Sequence, residues 1–117
     1  MPTFEQGQVV RVPFPYTDRD TRQHRPALVV SDGAVGENAA LLWVAMITSA
    51  QNRSWPGDCP IAAFHSAGLP IPSVVRPAKI TTIETGDAQP VGQIEPAVLA
   101  NVLSVIDRFL GRSQASV

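Results

Sequence analysis

The chain has 117 residues, 44% of them hydrophobic and 16% charged, with a net charge of −1. That supplies one core and one domain, over residues 1–117, and excludes an intrinsically disordered chain. A near-neutral balance gives no global signal for nucleic acid, and a single cysteine, Cys59, excludes an intrachain disulfide and a cysteine-based metal site.

The distribution of charge is more informative than its sum. Seven of the nine Lys and Arg residues lie between Arg11 and Lys79, four of them between Arg11 and Arg25, enough for a local basic patch. Eleven prolines and eight glycines favour turns, and hence short strands over long helices. No apolar run approaches the roughly 20 residues that span a bilayer, and the N-terminus lacks the apolar segment of a signal peptide. The expectation is a soluble, cytoplasmic protein with no membrane partner.

In chain order, Gln6-Gly7 is a turn signal, and residues 8–14 alternate with the period of a half-buried strand. Pro13 cannot donate to a neighbour, so this end is an edge or a bulge. Residues 19–25 read as a polar loop with three arginines and His24, preceded by Asp18. Pro26 then pushes Arg25 toward an extended conformation, and residues 27–31 form a short apolar strand. A loop rooted in a core strand is a common way to display functional groups. Equally, Arg22, His24 and Arg25 in such a loop serve as a solvated turn.

Residues 39–48 fit helix or strand by period, and Trp43, Val44, Ile47 and Thr48 tip the balance to strand, with Trp43 in the core. Trp55-Pro56-Gly57-Asp58 is a strong turn, with Trp55 either packed beneath the loop or held out as a surface anchor. Residues 60–64 are a short strand, and residues 73–83 a strand pair or one bent strand, interrupted at Pro77. Residues 91–94 are a short strand. Residues 95–110 are the clear helix: Pro96 suits its first position, Val98, Val102, Val105 and Phe109 lie on its apolar stripe, and Gly111 suits its end. The expected fold is mainly β, a five- to seven-stranded antiparallel sheet or small barrel with one C-terminal helix.

For chemistry, His24 and His65 have no metal-ligand spacing, and no phosphate loop, nucleophile elbow or other cofactor signature is present. What remains suits a phosphodiester. Arg22 and Arg25 can clamp phosphate oxygens with planar, charge-assisted bonds. Thr48 and Ser49 end one strand with hydroxyls, and Lys79, Thr81 and Thr82 end another. An imidazole such as His24 can exchange a proton near neutral pH. Metal-free RNA cleavage needs the 2′-OH deprotonated, the phosphorane stabilised and the 5′-oxygen protonated. Arginines and a hydroxyl cover the second need; His24, Asp18, Asp20 or an arginine covers the others. Each hydroxyl also has an ordinary role as a strand former or turn residue.

Residues 7–18 (Gly-Gln-Val-Val-Arg-Val-Pro-Phe-Pro-Tyr-Thr-Asp) and 25–31 (Arg-Pro-Ala-Leu-Val-Val-Ser) resemble the MazF/PemK family of toxin endoribonucleases. So do residues 44–49 and 75–83, and the closing helix, so the resemblance spans nearly the whole chain. It implies a small SH3-like or CcdB-like β-barrel and a homodimer. It implies sequence-selective, metal-independent cleavage of single-stranded RNA to 2′,3′-cyclic phosphate and 5′-hydroxyl ends. It also implies a cognate antitoxin partner. Carried over by residue, Arg25 matches the catalytic arginine and Thr48 the catalytic Thr/Ser, with Ser49 and Lys79 near substrate. The segment 18–24 departs from the family in holding neither the glycine nor the glutamate common there. That makes His24 and Asp20 the candidates for proton transfer. A CcdB-type toxin acting on DNA gyrase, or an inactive binding module, is the alternative on the same fold.

Overall fold

A computed structural model describes residues 3–15 and 22–112, apart from the side chains of residues 14, 15, 22 and 23. Six strands follow in order: β1 (Gln8–Pro15), β2 (Arg22–Val29), β3 (Leu41–Ser49), β4 (Cys59–Ile61), β5 (Ser73–Glu84) and β6 (Gln89–Gln93). A single α-helix among the described residues, α1 (Pro96–Phe109), closes the described chain. All strand pairs are antiparallel, in the spatial order β4-β5-β3-β2-β1-β6. The sheet curls into a half-barrel, as the sequence led one to expect of a mainly β chain with a terminal helix.

The curl lets the sheet bury both faces. Val9, Leu28, Ala45, Ile47 and Val75 pack with Val102 and Val105 of α1. Their alternating neighbours Val10, Val29, Val44 and Met46 form the second cluster, with Phe4, Leu42 and Ile83. Period-two alternation therefore divides residues between two cores, not between core and water. Arg11 is the exposed position among residues 8–13 of β1. Pro13 lies beyond the reach of β6, which pairs with residues 8–11 only, so the edge expected there is present.

Two expectations are revised, and one alternative left open by the sequence is decided. Residues 22–25, read as loop, belong to β2 and pair with residues 12–15 of β1; the strand starts earlier because β1 offers a complete partner. Residues 73–84 form one strand. Its register against β3 slips by three between Ala45↔Ile80 and Met46↔Arg76, which leaves residues 77–79 as a bulge around Pro77. Trp43, assigned to the core, is 54% exposed. Leu42 and Val44, on either side of it, belong to the second core, and Trp43 lines an open cleft between the sheet and the C-terminal part of α1.

Helix α1 follows its sequence signals. Glu95 is its N-cap residue and Pro96 opens it, while Gly111 just beyond it adopts φ +75°. The Glu95 side chain does not cap the helix; its Oε1 accepts a hydrogen bond from Ala63 N at 3.2 Å and ties α1 to the segment after β4.

Candidate active site

The site begins with a missing donor. Val30 N donates to Trp43 O at 2.9 Å, and the β2–β3 register pairs Leu28 with Ala45 and Ala27 with Met46. Alternate residues of β2, from Val30 through Leu28 to Pro26, therefore aim their amide positions at β3. Pro26 would donate to Ile47 and has no N–H, so the described ladder stops at Ala27. Carried two residues further, the same register brings Arg25 level with Thr48 and His24 with Ser49. Here the described pairing has ended, and residues of both strands line a cleft of about 310 Å³.

Arg11, His24, Arg25, Pro26, Ile47, Thr48, Ser49 and Asn52 line the cleft. Residues 68–71, Ser73 and Val91 line it as well. Four of the residues singled out from the sequence, His24, Arg25, Thr48 and Ser49, thus meet in one place although they come from two strands. His24 is exposed, Arg25 and Ser49 are half-buried, and Thr48 is 6% exposed. Asn52 Nδ2 donates to Thr48 Oγ1 at 2.7 Å, and Gln51 N donates to Ser49 Oγ at 3.2 Å.

Lys79 and Thr81 stand elsewhere. Lys79 sits in the β5 bulge, and Thr81 lines a second, larger cleft of about 900 Å³ between the sheet and the C-terminal part of α1. The Arg22 side chain, Asp18 and Asp20 lie outside the described residues. Arg11 and Asn52 were missed. The signal for Arg11 was its charged, outward place on β1, level with Pro26. Asn52 carried none, because its contact depends on how the chain turns after Ser49.

The segment 68–71 of the lining is held close to β6 by glycines. A Cβ on Gly92 would come within 2.3 Å of Ala67 O, and Gly68, at φ +82°, would meet Val91 O at 2.6 Å. The segment carrying residues 68–71 therefore lies directly on β6.

The loop behind the cleft is held by a clasp. Trp55-Pro56-Gly57-Asp58 forms a turn in which Asp58 N donates to Trp55 O at 3.1 Å and Trp55 N donates to Asp58 Oδ2 at 3.0 Å. Gly57, at φ +88°, fills the turn position that requires it. Arg76, 6% exposed, donates from Nε and Nη2 to the two Asp58 carboxylate oxygens at 3.1 and 3.0 Å. Its Nη2 also donates to Arg53 O at 2.8 Å, and its guanidinium lies 4.5 Å from the Trp55 ring centre. So Trp55 packs against the protein and is not held out as an anchor. Burial alone would raise the Asp58 pKa, but the bonds from Arg76 and Trp55 N and the Arg76 charge outweigh it and hold the carboxyl below its ordinary range. Cys59, beside it, is a buried core residue whose thiol pKa is raised by burial and by the Asp58 charge.

Among the described residues, no three His, Cys, Asp or Glu side chains group as metal ligands. No helix among them is long and apolar enough to cross a membrane.

Residues 5–110 match the family described as PemK-like, MazF-like toxin of type II toxin-antitoxin system. No curated protein matches the chain. Among solved structures, MazF from Deinococcus radiodurans is 23% identical, with 95% of this chain and 99% of that one covered at a TM-score of 0.76. An endoribonuclease in complex with its cognate antitoxin, from mycobacterial species, is 20% identical over 98% of this chain and 100% of that one, at 0.73. The Mycobacterium tuberculosis toxin MazF-mt6 is 20% identical over 89% and 97%, at 0.64. At these identities the structures share the fold.

Proposed function

The chain belongs to the PemK-like, MazF-like toxins of type II toxin–antitoxin systems, and on that premise we propose that it is a metal-independent endoribonuclease acting on single-stranded RNA. The observation that carries this reading is the meeting of Arg25, Thr48 and His24 in the cleft beyond the end of the β2–β3 pairing.

In the proposed reaction the ribose 2′-OH gives up its proton and its oxygen attacks the adjacent phosphorus. The P–O5′ bond breaks, and the 5′-oxygen takes a proton. The products are a 2′,3′-cyclic phosphate and a 5′-hydroxyl, with no water consumed. The Arg25 guanidinium and the Thr48 hydroxyl supply hydrogen bonds to the phosphoryl oxygens as negative charge builds on them. His24, exposed at the mouth, exchanges the proton with one of the two ribose oxygens. Ser49 and Arg11 hold flanking phosphates. Lys79 and Thr81 would touch only RNA that runs on beyond this cleft.

The partners in this reading are a cognate antitoxin and a second copy of the chain. The mycobacterial endoribonuclease, similar in fold, is described with its cognate antitoxin. For the homodimer, support comes from the apolar surface around the second cleft, where Trp43 is 54%, Ile80 43% and Leu110 65% exposed.

The test is cleavage of a long single-stranded RNA in EDTA by the purified protein and by Arg25→Ala, with the new 5′ ends mapped. Cuts at a short recurrent motif, with 5′-hydroxyl ends and lost in the variant, are expected. A folded protein that leaves RNA intact would sink the reading and turn attention to a gyrase-directed toxin.

A further inference from the structure

We propose that Asn52 is a positioning residue for Thr48: its side-chain amide fills one lone pair of the Thr48 hydroxyl and so leaves the hydroxyl proton to be donated into the cleft. The inference rests on the endoribonuclease reading above and deepens it.

A hydroxyl has one proton to donate and two lone pairs, and its rotor turns to suit its neighbours. Thr48 is 6% exposed at the end of β3, so water has little access to orient that rotor. A hydroxyl in such a place tends to spend its proton on a nearby protein acceptor, where it is of no use to a phosphate. Asn52 Nδ2 approaches Oγ1 as a donor at 2.7 Å. The oxygen then has a fixed acceptor role on that side, and its proton points elsewhere. Accepting a hydrogen bond also polarises the O–H and makes it a better donor, which matters most when charge develops on the phosphoryl oxygen.

Asn52 is itself exposed, so the fold does not need this bond to satisfy a buried amide. The loop that carries it is nevertheless closely held. Ala50 N donates to Pro72 O at 3.0 Å and Asn52 N to Ser49 O at 3.1 Å. On the other side, Arg53 O is bound by the buried Arg76. An exposed side chain mounted on a loop tied at both ends fits a role in orientation better than one in folding. Asparagine also suits it chemically, because aspartate, when ionised, only accepts and would draw the Thr48 proton toward itself.

Two measurements decide the matter. In the free protein, the Asn52 side-chain NH2 resonances should move in Thr48→Val, which keeps the shape and removes the oxygen, and should stay in place in Ser49→Ala. In single-turnover cleavage of a long single-stranded RNA in EDTA, Asn52→Ala should slow the saturated rate about 10- to 100-fold. The enzyme concentration for half-maximal rate should stay nearly constant. Asn52→Asp should be at least as slow as Asn52→Ala. The inference is overturned if the NH2 resonances ignore Thr48→Val, or if Asn52→Ala cleaves at the wild-type rate. It is equally overturned if the loss lies wholly in the half-saturating concentration, which would make Asn52 an RNA contact. A lowered melting temperature with the rate restored on cooling would mark a structural role and also overturn it. If the wild-type protein leaves RNA uncut, the parent reading fails and this one with it; wild-type cleavage beside an unimpaired Asn52→Ala fails this one alone.

Discussion

The tripeptide Arg-Pro-Ala occurs twice, at residues 25–27 and 76–78, and the two arginines have opposite surroundings. Arg76 is buried and committed to protein groups: both oxygens of Asp58, the Arg53 carbonyl and the face of Trp55. Arg25 is half-buried on the wall of a cleft that Thr48 also lines. Each proline interrupts a strand pairing, Pro26 by ending the β2–β3 ladder and Pro77 by starting the β5 bulge. The same short motif thus builds a clasp in one place and an opening in the other. What separates them is the partner at a distance in sequence. Asp58 and Trp55 come from a turn that closes over Arg76, whereas Arg25 stands on the wall of a cleft.

The two arginines should fail in different ways. The largest expected effect belongs to the clasp. Arg76→Ala leaves a carboxylate without its ion-pair partner in a mostly buried site and should cost about 3–5 kcal/mol of stability, read from urea unfolding. Arg76→Lys should recover only part, because an ammonium cannot bind both carboxylate oxygens in parallel. Next comes the cleft. Arg25→Ala should reduce RNA cleavage about 10²–10³-fold, the scale of one lost transition-state donor. Its urea midpoint should stay close to wild type. A large stability loss at Arg25, or none at Arg76, would erase the distinction.

The smallest effect is on pH dependence. The folded state holds the Asp58 carboxyl below its ordinary range. Its contribution is therefore fully present above the unfolded carboxylate pKa, about 3.9, and is lost as pH falls through the lower folded value. The wild-type urea midpoint should drop in that acid window. In Asp58→Ala this component should vanish and the curve should flatten. An equally steep acid limb in both proteins would show that other carboxylates carry the acid response.

How far the sequence could be read follows from where each signal resides. Helix α1 was plain because its stripe, its leading proline and its terminal glycine are all local. The apolar centres of β1 and β2 were plain for the same reason, whereas β3 fitted helix or strand by period and was decided by its β-branched and aromatic residues. The first residues of β2 were not plain, because their polar side chains carry no apolar period and their strand state depends on β1. Trp43 misled because an apolar run leaves unsaid which of its positions the rest of the chain will cover. Arg25 and Thr48 were singled out separately, by resemblance and by strand-end chemistry. That they share a cleft depends on register, and Asn52 depends on a turn. The ion pair between Arg76 and Asp58 joins residues 18 apart through a bulged strand and a turn, so no local pattern announced it.

Pro26 has one more consequence, in the balance between stability and activity. An ordinary residue there would bring back an amide facing Ile47 O, and the β2–β3 ladder could run on past Ala27 toward Ser49. Pro26→Ala should accordingly draw the two strands together where their pairing now ends, and the gained hydrogen bonds would favour the folded state. The same closure would take away the space that separates Arg25 from Thr48. At this position a protein that is harder to unfold would be a poorer catalyst, and the missing N–H is what keeps the seam open.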